Sequence, residues 1–207
     1  MNTDMMTGET VFFGRYPQGP NSEIMPIEWR VLDVQDGRAL LLSQYILDVR
    51  PFAGEDGNRF WGFCGLRGWL NREFLHRAFT PGETERIAQS ENPDYDDHDV
   101  FVWELFEMED TTDGIRDRVF LLSYTDVQRY FPGEQEGFLS GASAGATEWV
   151  YHQYEDEADP MGMCYWLRSA SAQSDIAYIV SPVDSVGAAM GVQWNRHGVR
   201  PAIWIRR

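Results

Sequence analysis

Four histidines, His76, His98, His152 and His197, are the first side chains to test for chemistry. A metal centre needs clustered ligands, and none of the four has the HExxH or HxH spacing that sets two of them on one element. Each reads better as a surface histidine or a satisfied core one. The densest run of ligand-type residues is Asp94, Asp96, Asp97, His98 and Asp99, within residues 91–99. Their oxygens suit a hard cation, but the run lacks the glycine and distal glutamate of an EF-hand loop. A solvated acidic loop is expected, with no metal and no cofactor. Cys64 and Cys164 stand far apart, outside any CxxC. Free thiols are expected in a reducing compartment, while one long-range bridge stays open. There is no phosphate-cradling glycine loop and no Walker sequence; either would have announced a nucleotide site. The carboxylates are too numerous for a catalytic pair to stand out. No catalytic residue is assigned.

Arg168 and Arg200 differ from the other cations, because they sit in the apolar settings Trp166-Leu167-Arg168 and Val199-Arg200-Pro201. A guanidinium there must be paired or hydrogen-bonded, since an unpaired buried charge is very costly. Anion recognition is one reading. Tying loops to a sheet through carboxylates or backbone carbonyls is the other, and the expected one.

These residues must be positioned by elements legible in the chain. Residues 27–34 alternate, with Ile27, Trp29 and Val31 on one face and Glu28, Arg30 and Leu32 on the other. Asp36-Gly37 is a hairpin turn signal, so residues 27–43 are expected to form a β-hairpin. Before it, residues 11–14 form a short apolar run ended by Gly14, and residues 16–20 a turn. Leu66, Trp69, Leu70, Phe74 and Ala78 recur at helical steps, which predicts a helix over 66–77. Thr80-Pro81-Gly82-Glu83 and Ser123 to Asp126 have capping-box spacing, so short helices follow through 87 and 130. Residues 101–108 are amphipathic, 118–123 read as a strand, and 148–154 alternate weakly. Trp29, Trp69 and Trp204 are expected in the core. From 165 onward, short β-rich runs are broken by Ser, Asp, Asn, Gly and Pro, the pattern of antiparallel strands and hairpins. Residues 195–198 read as a turn. The fold class is α+β in one domain, with helices in the middle and strands at both ends, which could meet in one sheet.

Composition sets the limits. At 207 residues the chain has one domain or two small ones, and 43% hydrophobic residues with 8 Trp supply a real core. All 17 basic residues are Arg, and the net charge is -16. Such a surface repels phosphates, which argues against nucleic acid and anionic membrane as partners and favours neutral or cationic ligands or another protein. The polar, acidic start lacks the basic and apolar regions of a secretory signal, and no apolar run reaches the roughly 20 residues of a membrane span. A cytoplasmic protein is expected, with surface display through a partner left open.

Several ordered stretches carry a resemblance: Phe13-Gly14-Arg15-Tyr16-Pro17-Gln18, Pro26 through Leu32, Leu40-Leu41-Leu42-Ser43, Arg67-Gly68-Trp69-Leu70-Asn71, Val119 through Ser123, Trp166-Leu167-Arg168-Ser169 and Gly198-Val199-Arg200-Pro201-Ala202. The chain resembles a bacterial domain family of unknown function with a WLRS…GVRPA ending. That family is similar to the C-type-lectin-like fold, in the branch that holds formylglycine-generating enzyme and the variable proteins of diversity-generating retroelements. The resemblance implies a small twisted antiparallel sheet whose C-terminal strands and turns form a ligand-binding face. Trp166, Leu167, Arg168, Gly198, Val199, Arg200 and Trp204 would be its hidden framework. Ser171, Gln173, Ser174, Asp175, Tyr178, Asp184, Met190, Gln193, Trp194, Asn195, Arg196 and His197 would bind a protein, small-molecule or carbohydrate ligand. Small polar residues and Tyr suit adaptable binding surfaces. The enzyme branch needs a closely spaced Cys pair near the C-terminus, which Cys64 and Cys164 do not form. A non-enzymatic, retroelement-diversifiable binding module is expected; a formylglycine-generating-enzyme-like oxidoreductase and a structural interaction domain are the alternatives.

Overall fold

The alternation of residues 27–31 sets Ile27, Trp29 and Val31 inside, all fully buried. They belong to strand β2 (Ile24–Gln35), which returns through Asp36-Gly37 into β3 (Arg38–Ser43). Both turn residues have positive φ, 50° and 70°, as a two-residue type I′ turn requires and an Asp-Gly pair accepts. Leu32 is buried as well, against the alternation. The register shifts between Val31 and Asp33, and such a bulge re-aims a neighbouring side chain. The computed structural model describes residues 5–54, 57–58, 60–92, 116–135, 137–154, 162–170, 176–193 and 196–207. The acidic loop beyond 92 and the amphipathic stretch 101–108 lie outside the described residues.

Gly14 does not end the first run. Strand β1 (Thr10–Pro17) continues through it to pair with β2, so 16–17, expected in a turn, are strand. Gly14 has φ 69° where the register shifts, the glycine-dependent form of a β-bulge. A Cβ there would meet the Phe79 ring at 2.5 Å.

The last strand, β13 (Ala202–Arg206), pairs antiparallel with β3, so strands from both ends of the chain share a sheet. Its order is β1-β2-β3-β13-β5, where β5 is Ile87–Ala88, and β8 (Val119–Phe120) also pairs with β13. The strand expected over 118–123 is therefore two residues long. The other C-terminal strands do not join this sheet. They form a second one, ordered β11 (Val186–Met190), β10 (Ile176–Val180), β9 (Tyr165–Ala170), β12 (Arg196–Val199) and β4 (Asp48–Pro51). All its pairings are antiparallel except β9 with β12, which meet parallel at Gly198 and Tyr165. The turn expected at 195–198 is corrected here, because residues 196–198 are strand. The hydrogen-bonding edge of β4, distant in sequence, outweighs the local turn preference of Asn, Arg and Gly. A two-stranded piece, β6 (Ser90–Glu91) with β7 (Arg116–Asp117), completes the pairing.

The helix expected over 66–77 is continuous but not uniform. It runs as α1 (Gly65–Trp69), a π-helical turn (Leu70–Phe74) and α2 (Leu75–Ala78). Leu66, Leu70, Phe74 and Ala78 are buried, while Trp69 lies half-buried at the rim. Both capping boxes form: Thr80 with Glu83 opens α3 (Pro81–Arg86), and Ser123 with Asp126 opens α4 (Tyr124–Tyr130). Residues 148–153 form a helix, α5 (Glu148–Gln153), capped by Thr147. Fewer than two turns cannot display a 3.6-residue period, which explains the weak signal there.

Trp29, Trp61 and Trp166 are fully buried. Trp204, expected in the core, is half-buried like Trp69; guanidinium groups cover both, Arg38 over Trp204 at 5.4 Å and Arg50 over Trp69 at 4.5 Å. Buried Asp117 ties the helix to the chain around 117: it accepts from Trp61 Nε1 at 2.8 Å, Arg67 Nε at 2.7 Å and Asn71 Nδ2 at 3.3 Å. Burial pushes its carboxyl up despite these donors.

Candidate binding face

The second sheet rests on two buried arginines. Arg168 on β9 is 6% exposed; its Nη1 donates to Leu121 O at 2.9 Å and to Asp126 Oδ2 at 2.6 Å. Burial pushes the Asp126 carboxyl up, but the Arg168 charge and the Ser123 hydrogen bonds outweigh it and hold the carboxyl below the usual range. Arg200, 2% exposed, has no carboxylate partner among the described residues. Its Nε donates to Ser43 O at 2.8 Å, and its Nη1 to Ala142 O at 2.6 Å and Tyr165 Oη at 3.3 Å. It thus joins β3, the 137–145 loop and β9, and it lies over the Tyr165 ring. Both arginines are internal anchors. Trp166 completes the frame: its Nε1 donates to Arg50 O at 2.8 Å across the sheet. Gly198 is required by close approach, since a Cβ would lie 2.6 Å from Ile46 Cγ2.

Around this frame the candidate ligand-binding residues divide. Arg196 is exposed on β12, opposite Pro51. His197, opposite Arg50, is half-buried, with its ring edge-on to Trp166 at 4.5 Å. Burial lowers its pKa and favours the neutral imidazole. Tyr178 is half-buried on β10, its ring 5.2 Å from Tyr124. Gln193 is half-buried beside Gly57. Asp184 sits in the β10–β11 turn at φ 54° and accepts from the backbone N–H groups of Gly141 and Ser143. Both its oxygens are therefore engaged in holding the 137–145 loop. Met190 ends β11 opposite Ile176. Ser171, Gln173, Ser174, Asp175, Trp194 and Asn195 lie outside the described residues.

Two features stand apart from this face. A cleft of about 360 Å³ is lined by Gln18, Gly19, Met25, Tyr45, Ala146, Thr147 and Glu148. Its amide donors are already spent, because Gln18 Nε2 donates to Met25 O and Pro26 O. The second is a polar and aromatic group around Tyr16, which sequence reading passed over as a turn. Tyr16 Oη donates to buried Asp48 at 2.7 Å, and Arg50 Nε lies 3.4 Å from the other Asp48 oxygen. Burial pushes both the phenol and the carboxyl up. Only the type of residue on β1, a Tyr after a glycine bulge, could have hinted at it.

Cys64 is buried and caps α1 through its sulfur, Cys164 is partly exposed, and neither is in a disulfide. Among the described residues no group of three or more His, Cys, Asp or Glu side chains could hold a metal ion, and no helix is long and apolar enough to cross a membrane. No curated protein and no solved structure matches the chain. A family described as a domain of unknown function, DUF6273, matches residues 36–207, from the Asp36-Gly37 turn to the final residue, and the chain belongs to that family.

Proposed function

We propose that this protein is a non-enzymatic binding module with a C-type-lectin-like fold, and that the rim of its second sheet displays a ligand-binding surface. The observation that carries the reading is the division within the C-terminal segment. Trp166, Leu167, Arg168, Val199 and Arg200 are almost wholly buried, whereas Arg196 is exposed and Tyr178, Gln193 and His197 are half-exposed, on or beside the same few strands. A frame held by buried hydrogen bonds tolerates change in what it carries, because the displayed side chains contribute little packing. Early and late strands that share one sheet, beside a second small sheet, are compatible with the lectin-like resemblance. Fold analogy does not license function by itself, so the test is binding. Glycan and peptide arrays probed with the protein should give a defined ligand set that Arg196→Ala and Gln193→Ala alter without loss of folding. Arrays that stay blank, or hits indifferent to both changes, sink the reading. Diversification has its own test. An imperfect, adenine-substituted repeat of the segment's coding sequence beside a reverse transcriptase supports it, and flanking DNA without one removes it.

A further inference from the structure

We propose that Arg50 and Arg77, laid on the aromatic cluster of Trp69, Phe74, Tyr16 and Trp149, form a binding site for a small organic carboxylate. The cluster is continuous. Trp69 and Phe74 have centroids 5.5 Å apart, Phe74 and Tyr16 5.0 Å, and Tyr16 and Trp149 5.9 Å. Arg50 stacks on Trp69 at 4.5 Å and Arg77 on Tyr16 at 5.0 Å, and both guanidinium charges act on the same phenol. Arg30, Arg38 and Arg129 lie over rings outside this group, and Arg86 lies over Phe13, which reaches Phe74 only through Phe79.

Neither guanidinium makes a hydrogen bond to a protein acceptor among the described residues, and Arg50 has only a loose ion pair with Asp48 through Nε. Asp48 Oδ2 is taken by Tyr16 and Oδ1 accepts from Val49 N at 2.8 Å. Arg50 Nε, buried 3.4 Å from Oδ1, is left without a hydrogen bond. Arg77 is exposed and makes no ion pair among the described residues, although Glu73 stands one turn before it. Stacking covers the faces of a guanidinium and leaves its planar N–H edge free, the edge that takes a carboxylate in two parallel hydrogen bonds. The half-buried Trp69 and Trp149 beside them would hold the apolar part of such a ligand.

A second observation comes from the backbone. The π-helical turn Leu70–Phe74 lies inside this helix and sets the Trp69 and Phe74 rings against each other. Such turns are rare and frequently sit at functional sites. The charge of -16 opposes an anion at long range. At physiological ionic strength that field is screened within about 8 Å, so contact with two cations decides.

The site does not depend on the display reading and is tested separately. Calorimetric titration of the protein with glutarate should saturate. Arg77→Gln, an exposed change that leaves the core intact, should weaken binding at least tenfold, and Arg50→Gln likewise. Arg86→Gln, which removes a ring-stacked arginine elsewhere, should leave it unchanged. Absence of saturation, indifference to Arg77→Gln, or an equal loss in Arg86→Gln overturns the proposal. Inorganic phosphate is the comparison probe: if it binds more tightly than glutarate and is lost in the same variants, the assignment to carboxylates is wrong.

Discussion

In the first sheet, β2 and β3 are joined by two turn residues and pair along most of their length. In the second, β9 and β12 are separated by two other strands in the chain and meet through one parallel residue pair. The first register follows from local chemistry: positive φ at Asp36 and Gly37, then alternating Ile27, Trp29 and Val31 against the core. The second has no such turn at its centre. It is held by side chains that reach across it, Arg200 to Ser43 and Ala142, Arg168 to Leu121 and Asp126, and Trp166 to Arg50. A sheet fixed by its turns resists change wherever its core face is kept. A sheet fixed by a few buried donors depends on those donors and is otherwise tolerant, which is what the proposed binding surface requires.

The sharpest way to break this contrast is Arg200→Ala. It removes the charged donor from buried Ser43 O and leaves Ala142 O with only the Tyr165 hydroxyl, and hydrogen bonds from a charged donor contribute about 1.5–3 kcal/mol each. A loss of about 3 kcal/mol or more is expected in urea unfolding. An unchanged midpoint would mean that the second sheet does not rest on this residue.

Gly198→Ala should cost about 1–3 kcal/mol by overpacking, because the new Cβ would press on Ile46 and lie 3.1 Å from Cys164 O. Restoration by Ile46→Val in the double variant would localise the strain. No restoration would place it elsewhere.

Two carboxylates sharpen the comparison through pH. Asp126, paired with Arg168, has its pKa lowered, so the stability it contributes is present above the unfolded value and lost as pH falls through the folded one. Asp126→Asn should cost about 1–2 kcal/mol at neutral pH, discounted because the side chain is partly exposed. The gap to the parent should close as pH falls below about 4, the ordinary Asp range. Asp48, at the start of β4 on the second sheet's edge and bonded to Tyr16 of the first sheet, has its pKa raised by burial. Its contribution is present at low pH and lost as pH rises through the raised value, so Asp48→Asn should gain on the parent between about pH 4 and neutrality. Parallel pH trends for the two variants would refute the assignment of pairing to one and desolvation to the other.

The smallest effect belongs to the display side. Arg196→Ala removes an exposed side chain and should move stability by about 0.5 kcal/mol or less. A larger loss would make Arg196 part of the frame.

What the sequence determined by itself was everything with a local cause. The Asp36-Gly37 hairpin, the helix from Leu66, the two capping boxes and the internal use of Arg168 and Arg200 all follow from turn chemistry, periodicity and the cost of a buried charge. Tertiary structure decided the rest. It divided the C-terminal strands between two sheets, drew residues 196–198 into a strand through the edge of β4, and continued β1 past Gly14 as a bulge. It also chose carbonyls rather than a carboxylate for Arg200. Among the candidate site residues, Arg196 was readable as exposed, but Asp184 was not readable as spent, because the N–H groups that engage it lie some forty residues away, at Gly141 and Ser143. The cluster of Arg50, Arg77, Tyr16 and Trp69 was invisible for the same reason. Its members come from two strands and a helix, and only packing brings two guanidinium groups onto one aromatic cluster.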